Sequence, residues 1–450
     1  MSVGVWECGW LFYPHPPKPP SSHTFLPYMR YSFFLILVVG LIHAGCDDLL
    51  GTKSDTTTEE IFEAGRIPPG LVSEAEYVPL FPFFTQGADG APLDNPQDVY
   101  VGYDELIYVV DARGLHVLDL AGRPAFFRPL DQATSVIQDR RLHVYVTARR
   151  DTLLNNQTWN LPVVYHFSGL TTGTPTTEDI IWHPFDDDSR RFNRPDPIST
   201  DEEVDFTGVA VLYNNNIYVS RRGPVNTAGS VILPHNTILE FTPEGINTQA
   251  LVVLSSTQPS LRSAINPTDV LTFVQPPQRA SFPAIKDFIV AQSPYPNGEV
   301  PNNGTAEASL RFPVLSIRGI ETPDGIEFRP DTQKLQAASD PDNGSGFLYE
   351  EFKFVHPTDL AFAADGTNYI YVLDGALDSL FVFTNNGVEG VAPPPGSSST
   401  TPVNVSFGGT GDGALQFNNP QGVAYFDRIV YVADTGNNRL ARFRLNTDFE

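Results

Sequence analysis

The chain has 450 residues, with 53 acidic side chains against 28 basic ones and a net charge of −25. That balance argues against nucleic acid and against anionic lipid headgroups as surface partners. No cysteine follows Cys46, so everything after it folds without a disulfide, a cysteine metal site or a cysteine nucleophile.

In chain order, residues 2–28 are rich in proline and aromatics and fit no export signal; they read as a spurious upstream extension, with translation expected to start at Met29. Met29-Arg30 supplies a start and a positive charge, and Phe33 to Ile42 is an apolar run of ten residues. A spanning helix needs about twenty, so residues 29–45 read as a signal peptide. Ala44-Gly45-Cys46 resembles a bacterial lipoprotein cleavage box, although His43 stands where leucine is usual. That resemblance implies a lipid on Cys46 and a lipid-anchored place in the bacterial cell envelope; the alternative is a secreted or periplasmic protein. Residues 46–70 are polar and acidic and read as a flexible tether, leaving 71–450 as one domain.

Within that domain the strands are short and recur. Asn95-Pro96-Gln97-Asp98-Val99 precedes Leu106 to Asp111 and then Leu115 to Leu120. Looser copies lie at Ala133 to Phe167 and at Phe206 to Phe241. Asn266-Pro267-Thr268-Asp269-Val270 opens the fourth copy, and His356-Pro357-Thr358-Asp359-Leu360 opens the fifth. The sixth is the clearest. After Pro420, Gly422 to Phe426 alternates, Asp427-Arg428 turns, Ile429 to Val432 is β-branched, Asp434 to Asn438 turns again, and Leu440 to Leu445 ends the copy.

A supersecondary unit repeated this way cannot bury its apolar face alone, and six of them predict a six-bladed β-propeller. The last copy runs out after its third strand, which would leave an open edge. Glu76 to Phe84 is apolar enough to supply the missing fourth strand, and its prolines suit an outermost position. The expected fold is therefore all-β, with an N-terminal strand closing the last blade. The sixth copy also resembles the NHL repeat, a pattern roughly of F-x-x-P-x-G-V-A followed by I-Y-V-A-D-x-x-N-N-R-I. The resemblance covers Asn95 to Leu445, specific in the first, fifth and sixth copies and loose in the others, and it implies that Asp434 with Arg439 is a structural clasp of the blade.

Long segments are expected at Arg149–Leu161, Arg221–Asn236 and Gln292–Ala308 between second and third strands, and at Thr171–Glu203, Gly319–Glu351 and Val388–Gly413 between blades. All six would emerge on the face where the first strand of each blade enters the central channel, which makes that face the expected binding surface. Asp98, Asp269, Asp359 and His356 stand at that entrance. Three converging carboxylates must be protonated, hydrated or bridged by a cation, and calcium suits such oxygen ligands; the alternative is that each caps its own turn. His116, His143 and His166 fall inside strands and read as packed residues. Two functions are open: a non-catalytic binding or scaffold propeller for a protein, glycan or small molecule, and a metal-assisted hydrolase or lyase at the channel mouth. The second draws on the resemblance, because lactonases and an amidating lyase share the architecture. No Gly-x-Ser-x-Gly or His-Glu-x-x-His motif supports it.

Overall fold

The computed structural model describes residues 75–448, except 171–175, 184–198, 224–235, 252–265, 279–284, 294–309, 337–345 and 395–396. The expected start at Met29, the signal, Cys46 and the tether lie outside the described residues. Six four-stranded antiparallel sheets make up the domain, a six-bladed β-propeller. Blade 1 is β2 (Asp98–Val101), β3 (Leu106–Asp111), β4 (Gly114–Asp119) and β5 (Pro124–Pro129). Blade 2 is β6 (Asp131–Gln138), β7 (Val144–Leu154), β8 (Gln157–Ser168) and β9 (Thr177–Trp182). Blade 3 is β10 (Asp205–Val211), β11 (Ile217–Arg222), β12 (Thr237–Phe241) and β13 (Asn247–Leu251). Blade 4 is β14 (Pro267–Leu271), β15 (Phe288–Gln292), β16 (Val314–Thr322) and β17 (Gly325–Pro330). Blade 5 is β18 (Pro357–Phe362), β19 (Ile370–Asp374), β20 (Ser379–Phe383) and β21 (Phe407–Gly408).

Blade 6 joins both ends of the described chain: β22 (Gly422–Phe426), β23 (Ile429–Asp434), β24 (Arg439–Leu445) and, outermost, β1 (Tyr77–Pro79). Tyr77 pairs with Leu445 and Pro79 with Phe443, and Phe84 returns to bridge Leu440. The closing strand is therefore the one expected. Its side chains make it more than a hydrogen-bonded edge: Tyr77 is buried, and its hydroxyl lies 3.1 Å from that of Tyr371 in blade 5.

The second strands carry the core. Their β-branched and tyrosine residues alternate between the two neighbouring blades, so Tyr108, Tyr145, Tyr218, Tyr371 and Tyr431 are each fully or almost fully buried. Asp427 and Arg428 both take positive φ, the conformation that a two-residue hairpin turn requires.

The connections depart from expectation in four segments. Arg149–Leu161 is not a loop: β7 and β8 continue as a paired ribbon out to Leu154 and Gln157, turning at Asn155-Asn156. Thr171–Glu203 and Gly319–Glu351 each contain the outermost strand of a blade, β9 and β17, so the true interblade segments begin later. Val388–Gly413 is an excursion within the outer edge of blade 5, since Gly390 N–H still bonds Val382 O before the chain leaves and returns as β21. The cause is common to the last three. An outermost strand is half solvated, as the alternately exposed β17 shows, so it lacks the apolar run that marks an inner strand. The face opposite the channel entrance is also less bare than expected, because the connection from β14 to β15 spans residues 272–287.

Candidate functional site

The innermost strands meet at a cavity of about 40 Å³ on the propeller axis, lined among others by Asp98, Asp269 and Asp359. These residues occupy one position of strand register in blades 1, 4 and 5; Ser135, Gly208 and Gly422 occupy it in blades 2, 3 and 6. The absent side chains are a packing requirement. A Cβ on Gly208 would stand 2.3 Å from Asp269 Oδ1, and one on Gly422 would stand 2.5 Å from the Asp98 Cα.

Each carboxylate is engaged by backbone N–H groups, and each reaches the following blade. Asp98 accepts from Val99 N at 2.6 Å and from Val136 N of blade 2 at 2.8 Å. Asp269 accepts from Leu360 N of blade 5 at 3.2 Å. Asp359 accepts from its own neighbour Leu360 N at 2.8 Å and from Val423 N of blade 6 at 2.5 Å. Burial pushes the Asp98 pKa up to about 7, with the charge of Asp269 adding to it and the N–H bonds opposing. Burial likewise raises Asp269 to about 6. Asp359 is also held well above the usual carboxylate range, first through burial and then through the charges of Asp269 and Asp98.

So the structure brings the three aspartates together, and it shows them acting as ties between blades as well as turn caps. Among the described residues, no group of three or more His, Cys, Asp or Glu side chains has the arrangement to hold a metal ion. The oxygens face N–H donors, and a shared calcium draws no support from this geometry. His356 does not line the cavity. Its backbone N–H bonds the buried Asp374, and burial lowers its ring pKa.

Sequence reasoning missed the threonines beside the aspartates. Thr207, Thr268 and Thr358 sit where the strand register slips by one residue, a bulge that re-aims the side chain. Each hydroxyl donates to a carbonyl of the next blade: Thr134 to Phe206 O at 2.8 Å, Thr207 to Pro267 O at 3.0 Å, Thr268 to Pro357 O at 2.6 Å and Thr358 to Pro420 O at 3.1 Å. Thr435 closes the circle with Pro96 O at 2.6 Å. Among the described residues, the junction of blades 1 and 2 shows no such threonine bond, and there Asp98 reaches Val136 instead. The Pro-Thr-Asp triplet of the fourth and fifth copies was the visible signal; its two polar residues bond outward to the next blade.

Asp434 and Arg439 pair at 2.7 Å, with the carboxylate fully buried. Asp434 also accepts from Asn418 N and Asn437 Nδ2, while Arg439 donates to the carbonyls of Asp412, Gly413 and Gln416. The group ties the end of the second strand to the segment entering the blade. Asp111 does the same in blade 1. Burial works to raise its pKa, but hydrogen bonds from His116 and from the N–H groups of Asp94 and Arg113 outweigh that and draw it down to about 2. His116 Nε2 lies 2.8 Å from Asp111, and His143 and His166 pack on each other at 3.0 Å.

The NHL repeat family model matches residues 417–443. Among solved structures, the chain is similar to a protein of unknown function from Bacteroides thetaiotaomicron at 15% identity and a TM-score of 0.44, covering 83% of this chain and 76% of that one. It is similar to an auxiliary nutrient binding protein from Bacteroides ovatus at 13% identity and 0.41, covering 83% and 77%. It is similar to virginiamycin B lyase from Staphylococcus aureus at 9% identity and 0.37, covering 82% and 99%. No curated protein matches the chain. The chain is a six-bladed β-propeller whose last blade carries a matched NHL repeat.

Proposed function

We propose that this protein is a non-catalytic binding propeller, tethered by a lipid on Cys46 to the bacterial cell envelope, whose ligand sits on the face where the channel opens. The observation that carries the reading is the ribbon of blade 2. Residues 150–161 extend a blade hairpin beyond its sheet, and Leu153 near the tip is 68% exposed. The ribbon is braced at its root. Arg149, 8% exposed, donates to the carbonyls of Asn160, Glu202 and Val204 and to Asp205. A rigidly rooted projection on a stable scaffold is what a binding surface needs. Just before blade 5, Phe352 and Val355 are exposed, as is Leu377 in the turn between β19 and β20.

The test replaces residues 150–161 with a two-residue Asn-Gly turn and compares cross-linked partners from native envelopes with those of the full-length protein. Loss of one defined partner with an unchanged melting temperature is expected. The same partner retained by the trimmed protein, but lost on altering the Asp427-Arg428 turn of the other face, overturns the reading. For the anchor, a palmitate analogue should label the protein, and Cys46→Ser should abolish the label; a labelled mutant sinks it.

A further inference from the structure

We propose that Asp98, Asp269 and Asp359 form a proton-binding clasp: the propeller closes tightly at its channel mouth only while the cluster carries bound proton, and loosens as the proton leaves. The geometry points to this independently of any ligand on the outer face. Leu360 N–H lies 2.8 Å from Asp359 Oδ1 and 3.2 Å from Asp269 Oδ2, so two carboxylate oxygens converge on one hydrogen. Two carboxylates that close cannot both ionise without strong repulsion, and a proton held between them removes it.

Beyond the backbone N–H groups already described, the walls offer no positive charge to compensate. β2 contributes Asp98 and Tyr100, β14 contributes Asp269, β18 contributes Asp359 and β22 contributes Tyr425, while β6 and β10 contribute only side chains without charge. No Lys, Arg or His lines the cavity. Swinging apart is blocked as well, since the backbone at Gly208 and Gly422 packs directly against Asp269 and Asp98.

The cavity the carboxylates line has a volume of about 40 Å³, room for a water. Water there would carry protons to and from the carboxylates.

The direction of the effect follows from linkage. An unfolded aspartate titrates near pH 4, whereas the folded cluster still holds protons up to about pH 7 at Asp98 and about 6 at Asp269. Over that window the native state binds more protons than the unfolded one, so stability is greatest below it and falls as pH rises. Each excess proton lowers the folding equilibrium constant about tenfold per pH unit.

The experiment follows thermal unfolding of the full chain from pH 4 to 9 in chelator, for the wild type and for Asp359→Asn and Asp269→Asn. The wild type should lose stability from about pH 4 to about pH 7. Either amide should flatten that loss and raise the melting temperature at pH 8, because it keeps the shape and removes a charge. Identical pH slopes in all three proteins overturn the proposal. Repeating the series with calcium in place of chelator should change nothing; a calcium-induced rise that depends on Asp269 overturns it in favour of a cation. Should a variant not fold, infrared spectra of the wild type decide. A buried carboxylic-acid band present at pH 6 and gone by pH 9 supports the clasp, and its absence at pH 6 overturns it.

Discussion

Blade 6 and blade 2 share a fold but end their second strands in opposite ways. In blade 6 the strand stops at Asp434, whose carboxylate gathers Asn418 N, Asn437 Nδ2 and Arg439 and turns the chain at the channel face. In blade 2 the equivalent register position is Ala148, one residue past Thr147. With no carboxylate to capture the turning N–H groups, the ladder runs on into the ribbon, and Arg149 anchors it with the opposite polarity, a cation collecting carbonyls. The difference teaches that a carboxylate is one way to end a blade at the mouth but not the only one, since β11 and β15 also stop there with Arg221 and Gln292 at the same register position. The repeat motif is strongest where the blade is purely structural and weakest where the surface is elaborated.

The largest expected effect tests how far blade 6 depends on the far end of the chain. Blade 2 draws all four strands from contiguous sequence, whereas blade 6 borrows β1. A chain beginning at Gly87 loses buried Tyr77 and Phe84, about 3–6 kcal/mol at roughly 1.5–3 kcal/mol per side chain, besides exposing a strand edge. It should melt far lower or aggregate, while a chain beginning at Gly70 should melt normally. Equal melting temperatures would break the comparison at its root.

Removing one partner of the blade 6 clasp ranks next. Arg439→Ala leaves the fully buried Asp434 without its cation, and breaking a buried pair costs roughly 3–5 kcal/mol; denaturant unfolding measures it. The corresponding loss in blade 2 should be smaller and local. Arg149→Ala frees three carbonyls at the ribbon root, each worth about 1 kcal/mol net. Amide exchange should then quicken in 150–161 but not in blade 6. The smallest effect treats the two blades alike. Thr134→Val and Thr358→Val each remove one interblade hydrogen bond, and each should cost about 1 kcal/mol. A much larger loss at Thr358 would show that the ring is held chiefly on the blade 5–6 side.

Much of this was readable in advance because the signals are local. The β-branched runs around Tyr108, Tyr371 and Tyr431 mark inner strands, since both of their faces are buried. The outer strands β9, β17 and β21 carry no strand signal of their own, because a half-solvated edge has no comparable apolar run. The ribbon was read as an insertion for a related reason: polar Arg149 to Asp151 and Asn155 to Thr158 pattern as turn residues, although the backbone between them is paired. At the site, Asp98, Asp269 and Asp359 stood out by their recurrence after proline, but the threonines did not, because their partners are carbonyls in another blade.

Sequence alone determined the number of blades, the inner strands and the closing segment, each of which rests on alternation and turn chemistry within a few residues. Tertiary structure alone decided that Asp98 of blade 1 meets Asp269 and Asp359 of blades 4 and 5, that Gly208 and Gly422 must be small, and that each proline-threonine corner bonds the next blade. The reason is physical. Periodicity reports which face of a strand is dry, whereas the approach of side chains far apart in the chain depends on how six sheets close around one axis.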